Sequence, residues 1–81
     1  MQIRDRLRYM RVLYQLSQKN VADYLGCSKQ YITQIETNKL VASQEKLEQI
    51  LNAIYYLGEQ KKQGRLKEVL EDIQKQNKLK E

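Results

Sequence analysis

The chain has no histidine, proline, tryptophan or phenylalanine, one cysteine and three glycines among its 81 residues. Each absence removes a class of protein. Without histidine there is no imidazole to hold a metal or to move protons near neutral pH, so most enzyme schemes lose their usual parts. Cys27, alone, makes neither an internal disulfide nor a multi-thiolate zinc site, which suits a reducing compartment and gives the expectation of a cytoplasmic protein. No glycine loop of the phosphate-binding kind and no nucleophile–base pair is visible, so neither an enzyme nor a cofactor is expected. Tyrosine is the only aromatic, and the vocabulary of sheets and tight turns is thin. Nowhere do about 18 apolar residues run together, and the opening MQIRDRLRYM alternates charge with apolar residues, unlike an export signal. What remains is one small all-α domain, too short for two ordinary ones.

What the chain does have is positive charge, 15 Lys and Arg against 10 Asp and Glu, a net +5. The excess is concentrated early: residues 1–41 carry +4, residues 42–58 carry −1 and residues 59–81 carry +2. A positive field over one half fits a polyanionic partner, although charge alone does not identify one.

Apolar spacing organises the chain into five helices. Ile3, Leu7, Met10 and Tyr14 line one face of a helix over 2–15. Ser17 is placed to cap a second helix marked by Val21, Ala22 and Leu25, and Gly26 ends it in a left-handed turn. Ser28 caps a third helix built on Ile32 and Ile35, which stops near Thr37 and Asn38, and KLVA forms the next loop. Ser43 restarts helicity, with Leu47, Ile50, Leu51, Ile54 and Leu57 on a fourth helix of about four turns. Gly58 and Gly64 bracket a polar stretch, so a domain boundary is expected at 58/59. Residues 1–58 then form the main unit, and residues 59–81 form an amphipathic helix over 65–77 with a charged, fraying tail NKLKE.

The segment from Gln18 to Thr37 meets a steric specification. Where two helices cross at close range, the fifth position must be small, the ninth must accept a left-handed turn, and the fourth, eighth, tenth, fifteenth and eighteenth must be apolar. Counted from Gln18 these are Ala22 and Gly26, then Val21, Leu25, Cys27, Ile32 and Ile35, and all comply. Together with Leu7, Met10, Arg11, Ser17, Gln18, Glu36 and Ser43, the segment resembles the Cro/CI-type (XRE) helix-turn-helix family of phage repressors, plasmid regulators and restriction-modification controller proteins. The resemblance runs from about Ile3 to Leu57. It departs from the family at Asn38 and Lys39, where a Gly-basic pair is usual, and in lacking a proline before Ser43.

The resemblance implies a compact five-helix, lambda-repressor-like DNA-binding domain, with the third helix in the major groove. Ser28, Lys29, Gln30, Tyr31, Thr33 and Gln34 then face base edges: Gln pairs with adenine, Lys reaches guanine, and Thr or Tyr touches a thymine methyl. Gln18, at a helix N-terminus, and Lys19, Lys39 and Arg8 are the candidate phosphate contacts, which hold register without reading sequence. Family likeness adds that Gln18 braces the recognition helix and that Arg11 pairs with Glu36 as a structural link. Cys27 reads as a small core residue. The family also pairs through the end of the fourth helix and the segment after it, so Ile54, Leu57, Leu66, Val69, Leu70 and Ile73 are the candidate dimer interface, unless the fifth helix packs within its own chain.

The expected function is therefore a sequence-specific transcriptional regulator, a dimeric repressor of an inverted-repeat operator in double-stranded DNA. A regulatory protein partner is also admitted, and a membrane is not. The alternative is a protein-interaction adaptor or antagonist that uses the same fold without reading DNA.

Overall fold

Three serines set where three of the helices begin. In a computed structural model, which describes residues 2–79 and side chains as far as residue 76, α1 spans Ile3–Leu13, α2 Gln18–Leu25, α3 Lys29–Glu36, α4 Gln44–Lys62 and α5 Leu66–Leu79. Ser17, Ser28 and Ser43 each accept a hydrogen bond from a first-turn amide, of Asn20, Tyr31 and Lys46 respectively. A cap of this kind is worth about 1 kcal/mol against alanine. At α2 the cap is reciprocal, because Asn20 Oδ1 also accepts from the Ser17 amide at 3.0 Å. The backbone stays helical to Leu79, two residues beyond the helix expected over 65–77, while the rest of the NKLKE tail expected to fray, residues 80–81, and the side chains of 77–79 lie outside the described range.

The helices pack around α4. α1 lies against α4 and α3, α2 crosses α3 and touches α4, and α5 folds back on α2 and α4. Leu7, Val21, Ala22, Ile32, Ile35, Ile50, Leu51, Ile54 and Leu57 form one buried cluster, joined by Leu16 from the α1–α2 loop. Each fully buried branched side chain contributes about 1.5–3 kcal/mol of burial free energy.

Two expectations change here. The fourth helix does not stop at Gly58; it runs 19 residues to Lys62, so the boundary expected at 58/59 falls inside α4. Gly58 is a packing glycine, because a Cβ there would land on the Tyr14 ring, against Cγ and both Cδ atoms. The left-handed stop is Gly64, with φ 74°. In addition, Ile54 and Leu57 are 1% and 0% exposed inside their own chain, so neither has surface to offer a second copy.

The C-terminal end of α1 is fastened to α4 by the same ring. Tyr14 meets Tyr55 edge-on at 6.3 Å, and the Lys62 ammonium sits 5.3 Å from the Tyr14 centroid. The chain reverses there through Gln15 at φ 58°, whose carbonyl accepts from the Lys61 ammonium.

Candidate nucleic-acid interface

The turn between α2 and α3 is made by Gly26, at φ 73° and ψ 28°, a conformation open to glycine without a Cβ clash. The Cys27 amide donates back to the Ala22 carbonyl at 3.0 Å, closing the end of α2. Ala22 is 1% exposed where the helices cross, so a larger side chain would push them apart. Cys27 is half-buried, and burial pushes its thiol above the usual range, with the charge of Lys46 pulling partly the other way. It is therefore a weak nucleophile at neutral pH.

A chain of polar contacts fixes α3 against α1 and α2. Arg11 grips Glu36 with two parallel bonds, Nε to Oε2 at 2.8 Å and Nη2 to Oε1 at 2.9 Å, and its Nη1 donates to the Leu16 carbonyl at 2.9 Å. The Glu36 side chain is only 5% exposed, so this is a desolvated, bidentate pair. Gln18 Nε2 also donates to Glu36 Oε1, at 3.1 Å, while Gln18 Oε1 accepts from the Thr33 hydroxyl at 2.7 Å. One side-chain amide thus clasps both the middle and the end of α3, and its second Nε2 proton has no partner among the described residues.

The outer side of α3 differs in kind. Ser28, Lys29 and Gln30 are exposed, Tyr31 and Gln34 half-buried. Among the described residues, the side chains of Lys29, Gln30 and Gln34 enter no internal hydrogen bond or ion pair. Thr33, expected with these base readers, has its hydroxyl drawn back toward Gln18 and the Lys29 carbonyl, which makes it part of the brace. Tyr31 packs partly against the core. Arg8, Lys19 and Lys39 are exposed on three separate segments, Lys39 directly after the left-handed Asn38 at φ 61°.

A family model described as helix-turn-helix matches residues 7–54, more than half of the chain. The chain belongs to the XRE helix-turn-helix family. It is accordingly a DNA-binding regulator of the XRE type, a family that is generally not enzymatic. No curated protein and no solved structure matches it. As an XRE protein it carries the crossed pair α2–α3 within the matched span, while α5 lies beyond it. No described helix is long and apolar enough to cross a membrane.

Leu16, 3% exposed in the core, lies outside the spacing of both neighbouring helices, and its signal is a different one: it directly precedes the Ser17 cap, with Val21 at the fourth helical position, the pattern of a hydrophobic staple. Spacing is equally silent on the Gln18–Glu36 bond, since the two lie 18 residues apart.

Proposed function

We propose that the chain is a dimeric, sequence-specific repressor that inserts α3 into the major groove of an inverted-repeat operator. The observation that carries this is the division of labour on α3. Its inner polar groups are held by Gln18, Glu36 and Arg11, while Lys29, Gln30 and Gln34 keep their hydrogen-bonding tips free. A helix oriented this firmly, with unsatisfied amide and ammonium groups outward, suits base-edge readout. Ser28 at the tip of α3 and the Tyr31 ring border the same surface. Gln18, Lys19, Lys39 and Arg8 would meet phosphates on either side of the groove.

One recognition helix covers only a few base pairs, too few for discrimination against a genome, so two copies are required. Leu66, Val69 and Leu70 already pack on their own core, and among the described side chains Ile73 is the apolar residue of α5 outside that cluster. The pairing surface is therefore Ile73 with the rims of Val69 and Leu70. Occupancy of a promoter by such a dimer represses by exclusion.

Selection of bound sites from random DNA tests the reading. The expected result is two inverted half-sites with centres about one helical turn, roughly 34 Å, apart. A pool that shows no enrichment, or a single half-site, overturns it.

A further inference from the structure

The face of α1 that points away from the core is not polar. Tyr9, Val12 and Leu13 are 56%, 57% and 60% exposed, and their i, i+3, i+4 spacing puts them on one stripe. The stripe forms a groove of about 540 Å³ with Asp5, Arg8 and Glu36. Leu13 continues it into a second hollow of about 330 Å³ that is bordered by Lys61 and Lys62 at the end of α4.

The charges around this apolar stripe are one-sided. Asp5 lies 3.9 Å from Arg4, and Glu36 is spent on Arg11 and Gln18. Arg6 and Arg8 are exposed and form no ion pair among the described residues. At the far end Lys61 and Lys62 add two cations, one of them beside Glu59. With Asp5 beside Arg4, Glu36 held by Arg11 and Lys62 beside Glu59, the cations left around the stripe without an acidic partner among the described residues are Arg6, Arg8 and Lys61.

A second copy would set the same unpaired arginines against each other, whereas an acidic partner complements them. A single amphipathic helix laid along a groove needs only a few anchors at i, i+3 and i+4. We propose that the outer face of α1 docks an acidic amphipathic helix of a protein partner, with apolar anchors on Tyr9, Val12 and Leu13 and carboxylates toward Arg6, Arg8 and Lys61. The proposal does not depend on DNA readout by α3.

The test uses the full chain and two labelled synthetic helical peptides with leucines at i, i+3, i+4 and i+7, one with glutamates and one with lysines at the remaining positions. Fluorescence anisotropy should show saturable binding of the acidic peptide and at least about tenfold weaker binding of the basic one. Leu13→Asp and Arg6→Glu should each weaken the acidic peptide several-fold, while helicity and affinity for selected operator DNA stay unchanged. Val12→Ser serves as a second, milder truncation should Leu13→Asp unfold. Absence of saturable binding, or equal binding of both peptides, overturns the proposal. So does sedimentation showing a wild-type dimer that Leu13→Asp converts to monomer, because the occupant is then a second copy. Loss of DNA binding in the wild type would leave the peptide result standing and count against the DNA reading alone.

Discussion

At the scale of single residues, α3 divides into side chains that hold and side chains that reach. Gln30 is exposed and enters no bond among the described residues, so Gln30→Ala should lose preference at one or two base pairs, about 1–3 kcal/mol each, with helicity and self-association intact. Site selection with the variant checks this, and unchanged specificity removes Gln30 from the reading set. Glu36 behaves differently. Glu36→Ala leaves the Arg11 guanidinium, whose side chain is 13% exposed, without its carboxylate and releases Gln18 as well. Breaking a buried pair in this way costs about 3–5 kcal/mol, which denaturant melts will show as a lower midpoint at unchanged slope. The division is only partly legible in the sequence. It shows that Thr33 and Gln34 are polar and on α3, but not that the Thr33 hydroxyl turns toward an amide 15 residues earlier. That depends on the crossing angle of α2 and α3, which no local pattern encodes.

At the scale of elements, helix starts are readable and one helix end is not. Serine caps act locally, through a hydroxyl and an amide three residues on, so Ser17, Ser28 and Ser43 announce α2, α3 and α4. Gly26 and Asn38 mark left-handed turns by the same local logic. Gly58 misleads because its reason is tertiary: the Tyr14 ring occupies the place of its missing Cβ. In an exposed helix interior Gly→Ala would stabilise by about 1 kcal/mol. Gly58→Ala should instead destabilise, by about 1–3 kcal/mol, because the ring must move and its contacts with Tyr55 and Lys62 loosen. Thermal melts decide the sign. The exposed stripe on α1 is hard to read for a related reason: periodicity picks out the stripe that faces a core, and Tyr9, Val12 and Leu13 fall between its repeats.

At the scale of the whole molecule, the positive charge of +5 and the cations at Arg8, Lys19, Lys29 and Lys39, unpaired among the described residues, imply binding that is strongly salt-dependent. If a dimer neutralises about six phosphates or more, raising salt from about 50 to 200 mM weakens operator affinity roughly a thousandfold. A flat response in a titration removes these cations from the DNA contact surface. Ile73→Asp should lower self-association in sedimentation while the melting temperature of the chain at low concentration hardly moves, since Ile73 lies outside the core cluster. The clasp of Gln18 on Glu36 and Thr33 has an evolutionary corollary. Because orientation is secured from behind, the outward tips at 29, 30 and 34 would, under the proposed readout, be replaceable parts. On that reading, descendants of this protein could follow a drifting operator by exchanging those three letters while inheriting the scaffold unaltered.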